Sequence, residues 1–137
     1  MTMTITRSPL LLKAPTVLIL PPPVLHQRYA IDCEIGKGGC ARVFQAWDTH
    51  ATRFVALKRA HLGEKSARML QREAEILSGL RHPGVPAFLD YFEEAGRGYL
   101  VEEWKAGTPM QALHFFSLQK VLWVGQQCCD VLAYLHR

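Results

Sequence analysis

Tyr29-Ala30-Ile31-Asp32-Cys33-Glu34-Ile35 runs into Gly36-Lys37-Gly38-Gly39, and the chain returns through Arg42-Val43-Phe44-Gln45-Ala46-Trp47. The first stretch alternates loosely between apolar and polar residues, the period of a half-buried strand. The glycine cluster is a turn that neither a strand nor a helix would keep. Arg42 to Trp47 reads as the returning strand. After the polar turn Asp48-Thr49-His50-Ala51-Thr52, Phe54-Val55-Ala56-Leu57-Lys58 reads as a third strand. Three strands in a row joined by short turns predict an antiparallel meander.

Downstream of the meander the period changes. Between Glu64 and Leu80, the residues Met69, Leu70, Ala74, Ile76, Leu77 and Leu80 fall on one helical face, and His82-Pro83-Gly84 is expected to end the helix. Val85 to Phe92 and Tyr99 to Trp104 read as two further strands across the polar turn Glu93 to Gly98. Gly107-Thr108-Pro109 breaks the chain, and a short helix is expected around Met110 to Phe116. A last helix, Ser117 to His136, is apolar around much of its circumference and so demands burial on several sides. Few elements remain to bury it.

Upstream, residues 1–27 read as an irregular or disordered leader. Its apolar run from Leu10 to Leu25 is short and is interrupted by Lys13, Pro15 and Pro21-Pro22-Pro23. A spanning helix needs about 20 apolar residues, and a signal peptide needs an unbroken apolar region with a small-residue cleavage site. Neither pattern is met, and no membrane span is expected.

The bulk numbers agree with one globular unit: 137 residues, 49% hydrophobic and 20% charged. A net charge of +4 favours anionic ligands such as nucleotides. The basic residues are scattered, with no Lys/Arg run flanked by stacking aromatics, so nucleic acid is not expected as a partner. Cys33, Cys40, Cys128 and Cys129 form no paired CxxC motifs at zinc spacing. They read as reduced thiols of a cytoplasmic protein, and no metal site is expected.

Three features carry chemistry. In Gly36-x-Gly38-x-x-Ala41-x-Val43, glycines let backbone approach phosphate oxygens without a side chain in the way. Glycine turns between strands are common, so the motif alone is weak. A dinucleotide fingerprint would place the glycines before a helix, with an acid about 20 residues on. Here a strand comes next, and Lys58 takes the place of the acid. No Gly-Lys-Ser/Thr occurs, which excludes a P-loop. The second feature is Lys58 at the end of Val55-Ala56-Leu57, either a snorkelling surface residue or an inward cation. The third is Glu73, lying within the apolar helix stripe, where a carboxylate is costly unless paired. Either it lies exposed at the stripe's edge or it pairs with a cation, of which Lys58 is the best placed.

In order and spacing, the glycine flap, Val55-Ala56-Leu57-Lys58, Arg72-Glu73-Ala74-Glu75-Ile76-Leu77, Leu80-Arg81-His82-Pro83 and Tyr99-Leu100-Val101-Glu102-Glu103-Trp104 with Gly107 resemble a protein kinase catalytic domain. The Gly-Lys-Gly-Gly turn resembles the bacterial serine/threonine type. The resemblance covers roughly residues 28–137. It implies an α+β fold: a kinase-like N-lobe (28–102) with a five-stranded antiparallel sheet and one C helix, a hinge (103–108), and the first C-lobe helices (109–137).

The resemblance implies ATP as the ligand, with Mg²⁺ in the complete family domain, and an unknown protein substrate. Lys58 would meet the α/β-phosphates and pair with Glu73. The backbone from Gly36 through Lys37, Gly38, Gly39 and Cys40 to Ala41 would cover the phosphates. Ile35, Val43 and Ala56 would sandwich the adenine, and backbone groups of Glu103 and Lys105 would bond its edge. Leu77 and Phe88 would lie on the family's internal apolar spine. Some positions depart from the pattern. Ala41 stands for the third glycine, Glu102 for a hinge-entry residue more often apolar or Thr, and Pro109 near a ribose-binding position. The His-Arg-Asp loop and the Asp-Phe-Gly segment are absent, and Tyr134-Leu135-His136-Arg137 resembles the helix end just before them. The expectation is the front part of a kinase, cut short and inactive by itself. The alternatives are a non-catalytic, pseudokinase-like nucleotide-binding or interaction module, and an unrelated α+β protein with chance motifs.

Overall fold

The computed structural model describes residues 21–137. Seven of its elements build the sheet and the helix against it: β1 (Val24–Leu25), β2 (Tyr29–Lys37), β3 (Ala41–Asp48), β4 (Arg53–Ala60), α1 (Glu64–Ser78), β5 (Phe88–Glu94) and β6 (Arg97–Glu103). Among the described residues, one 3-10 turn at Met110–Ala112 and the helix α2 (Leu118–Leu135) follow. The strands form one antiparallel sheet in the order β1-β2-β3-β4-β6-β5.

The meander β2-β3-β4 is where periodicity placed it. The irregular leader expected through residue 27 is not irregular at its end. Its last residues add a sixth strand, Val24 pairing Ala30 and Leu25 pairing Tyr29. Residues 1–20 of that leader lie outside the described residues. β6 does not lie at the edge. It inserts between β4 and β5, so that its residues 98–102 are buried on both faces.

Alternation along β6 divides the core in two. Tyr99 and Val101 face one side, with Tyr29, Phe44, Ala46, Val55, Leu57 and Phe92. Leu100 faces the other side, where Leu70 and Ala74 of α1 pack on it beside Ala60. Leu77 and Phe88 lie partly buried against this second cluster. Each fully buried apolar side chain here contributes about 1.5–3 kcal/mol.

The helix contact is narrower than the sequence stripe. Met69 and Ile76 are 49% and 56% exposed, because only the Leu70-Ala74-Leu77 edge of α1 meets the sheet. The helix also ends earlier than His82-Pro83-Gly84, at Ser78. There the Gly79 N–H donates to the Ile76 carbonyl and the Leu80 N–H to the Leu77 carbonyl, each at 3.1 Å, which closes the last turn. The β5–β6 turn is shorter than expected. Ala95 and Gly96 alone make it, both at positive φ (49° and 72°), the handedness that matches strand twist in a two-residue hairpin.

α2 begins at an N-cap, Ser117, whose hydroxyl accepts the Lys120 N–H. None of its residues is buried. Its contact with the rest runs through Tyr134, whose hydroxyl accepts the Arg81 N–H at 2.7 Å, and Val131, which abuts Gly84.

Candidate functional site

The sheet register assembles the site. Val43 lies opposite Lys58, Gly36 opposite Val43, and Ala56 opposite Glu102. Directly paired residues share a face. All of these therefore look to the side on which α1 packs, and α1 brings Glu73 to that side.

A cavity of about 350 Å³ opens there, lined by Gly38, Gly39, Cys40, Ala41, Val43, Lys58, Met69, Leu70 and Glu73. A cavity of about 410 Å³ lies between residues 82–84 and α2. It holds neither the glycine turn nor the lysine, so the candidate site is the smaller one.

The glycine turn is narrower than its motif. β2 continues through Lys37, and the bend itself falls at Gly38 to Cys40, where the Gly38 N–H donates to the Ala41 carbonyl at 2.8 Å. None of these glycines has positive φ. Their contribution is space: a Cβ built on Gly39 meets nothing within 4 Å. His61 holds the turn from the end of β4. Its N–H donates to the Cys40 carbonyl at 2.9 Å, and its Nε2 lies 3.0 Å from the Gly38 carbonyl. That second contact requires the proton on Nε2.

Lys58 Nζ donates to Glu73 Oε1 at 2.6 Å and to Glu102 Oε1 at 2.7 Å. The first is the pair expected from the sequence. The second was not anticipated, although Glu102 stands out in the sequence as a carboxylate where the family more often has an apolar residue or Thr. Their surroundings differ: the Glu73 side chain is 43% exposed and that of Glu102 is 6% exposed. Burial alone would lower the pKa of the Lys58 ammonium. Hydrogen bonds and charge from Glu102 and Glu73 more than reverse this, and the pKa is raised above the usual lysine value.

The remaining expected residues lie off the cavity wall. Ile35 is exposed, Gly36 and Ala56 are partly buried, and Lys37 is exposed at the end of β2. At the end of β6, the Glu103 N–H donates to the Ala87 carbonyl at 2.9 Å, so that amide is already engaged. Lys105 Nζ pairs with Glu103 Oε1 at 2.9 Å. Among the described residues no group of three His, Cys, Asp or Glu side chains is placed to hold a metal ion. The two carboxylates on the cavity side, Glu73 and Glu102, are both held by Lys58, so the described residues offer Mg²⁺ no uncommitted carboxylate there.

The model of the protein kinase domain matches residues 29–137. The chain belongs to the protein kinase domain family. Serine/threonine kinases of animals and bacteria resemble it. It is 33% identical over 116 residues to serine/threonine-protein kinase 36 of Pongo abelii, covering 80% of this chain and 9% of that protein. With the probable serine/threonine-protein kinase YbdM of Bacillus subtilis it shares 29% over 122 residues, 82% of this chain and 48% of YbdM. With the DNA damage-responsive kinase RqkA of Deinococcus radiodurans it shares 36% over 99 residues, 69% of this chain and 15% of RqkA. This kinase-domain chain thus spans less than half the length of each of these relatives. Among solved structures, Rad53 in complex with AMP-PNP superposes with a TM-score of 0.67 at 22% identity, over 80% of this chain and 30% of that one. The kinase domain of PF14_0431 superposes with a TM-score of 0.57 at 18% identity, over 61% of this chain and 26% of that one. These superpositions carry the fold.

Proposed function

We propose that residues 28–137 are the nucleotide-binding part of a serine/threonine protein kinase that, when complete, transfers the γ-phosphate of ATP to protein hydroxyls. The observation that carries this reading is Lys58 Nζ held 2.6 Å from Glu73 beside an open glycine turn. An ammonium fixed by a helix carboxylate and aimed below a side-chain-free backbone suits polyphosphate. Residues 28–102 form the N-lobe in this reading, 103–108 the hinge and 109–137 the start of the C-lobe. Ile35, Val43 and Ala56 would contact adenine, and the hinge backbone at Glu103 and Lys105 would bond its edge. The four free cysteines support a reducing, cytoplasmic setting.

Phosphoryl transfer needs more than this site. A base or positioning carboxylate must orient the acceptor hydroxyl, and metal ligands must hold Mg²⁺. The 137 residues contain no His-Arg-Asp or Asp-Phe-Gly sequence to supply them. The polypeptide by itself is therefore expected to bind nucleotide and to transfer no phosphate. Incubating the purified chain with radiolabelled ATP tests both parts. Retention of label that is non-covalent and absent in Lys58→Met supports the reading. Covalent label that Lys58→Met abolishes would refute the inactivity. Equal binding by the chain and by Lys58→Met would refute the nucleotide site.

A non-catalytic nucleotide-binding module is the second reading. It is favoured by one observation: Lys58 already has two carboxylates, which weakens its hold on any phosphate.

A further inference from the structure

Glu102 is buried, and its cross-strand position opposite Ala56 puts its carboxylate on the cavity side of the sheet. Its ion-pair partner is Lys58, at 2.7 Å, and Lys58 also holds Glu73 at 2.6 Å. One positive and two negative charges leave this cluster at −1 before any ligand arrives. A lysine ammonium has three donors, so a phosphate oxygen has a geometric place on it. The electrostatics oppose that place. If Lys58 keeps Glu102, the phosphate is brought next to a desolvated carboxylate of like charge. If Lys58 swings to the phosphate instead, Glu102 is left buried without its cation, one of the costlier events in a protein interior. Glu73 imposes no comparable cost, because water reaches it.

We propose that Glu102 is a built-in competitor of nucleotide phosphate for Lys58, so that the site binds ATP weakly while this carboxylate is charged. The proposal rests on the reading of Lys58 as a phosphate ligand. It makes Glu102 an affinity-determining residue of that site, acting on the phosphates and not on the base.

Calorimetric titration of the 137-residue chain and its variants with ATP and with adenosine tests it. Glu102→Gln keeps the shape and removes the charge. At protein-interior dielectric, removing a like charge a few Å away is expected to raise ATP affinity about tenfold or more. Adenosine, which has no phosphate, is expected to bind as before. Glu102→Met removes the buried polar atoms as well and is expected to give the same gain, which guards against a folding artefact of either variant. In Lys58→Met/Glu102→Gln the gain is expected to vanish. Equal ATP affinity for the unaltered chain and both Glu102 variants overturns the proposal and leaves the nucleotide reading standing. An equal gain for adenosine also overturns it, since the effect would then lie in the shape of the base pocket. If no variant binds ATP while all keep the melting transition of the unaltered chain, the nucleotide reading fails and takes this inference with it.

Discussion

Lys58 lies between a buried carboxylate and a half-exposed one, and losing each partner has a different consequence. Replacing Lys58 with Met strands Glu102 in the interior, and the loss is expected to be about 3–5 kcal/mol in urea unfolding. Lys58→Met/Glu102→Met is expected to recover most of it, because no buried charge remains. Glu73→Gln is expected to cost under about 1 kcal/mol, since an ion pair open to water contributes little. Equal losses for Lys58→Met and Glu73→Gln would contradict this ordering. The raised pKa of Lys58 adds stability that is fully present below the unfolded lysine pKa and is lost only as pH rises through the folded value, in the alkaline range. Asp48 gives the acid limb. The Arg28 guanidinium, above all, and the N–H groups of Ala51 and His50 hold its carboxyl at about 2 against the opposing effect of burial. A depressed carboxyl contributes stability above its unfolded pKa, near 3.8, and loses it as pH falls toward 2. Roughly 2 kcal/mol is expected to disappear over that window. Urea midpoints of Asp48→Asn across the same pH range are expected to show a flatter acid slope. An unchanged slope would assign the acid sensitivity to other groups.

At the scale of elements, strands were easier to read than helix faces. β2, β3 and β4 follow from alternation and turn chemistry, both of them local. The apolar stripe of α1 was legible as a stripe, but its width was not. Met69 and Ile76 satisfy helical periodicity and still face outward, because only a strip of the sheet is available to receive the helix. The start of α1 rests on a backbone requirement that no pattern of hydrophobicity signals. Gly63, its N-cap, has φ 117°, and no side chain caps the helix there. A side chain at that φ is strained, so Gly63→Ala is expected to lower stability by about 1–2 kcal/mol in thermal or urea melts. A neutral substitution would mean that the turn rearranges freely.

At the scale of the whole molecule, α2 exposes Leu118, Val121, Leu122, Trp123, Leu132 and Leu135, and Phe115 before it is 93% exposed. Exposed apolar surface of this extent drives association. The purified chain is expected to self-associate in light scattering. Leu122→Glu with Trp123→Lys is expected to reduce that without lowering the melting temperature, because α2 buries none of its residues. A monodisperse monomer of the unaltered chain with a cooperative melt would sink the expectation. The sequence by itself determined the meander and the glycine turn, and it narrowed Lys58 and Glu73 to two readings each, one of which was that they pair. Each of these rests on period, on local turn chemistry, or on the cost of leaving a charge unpaired on an apolar face. Only the tertiary structure decided that Lys58 has a second, more deeply buried partner. Lys58 and Glu102 are 44 positions apart. They meet because β6 inserts next to β4 and not at the sheet's edge. Strand order is a property of how the whole sheet closes over its two cores, which no local pattern of residues encodes.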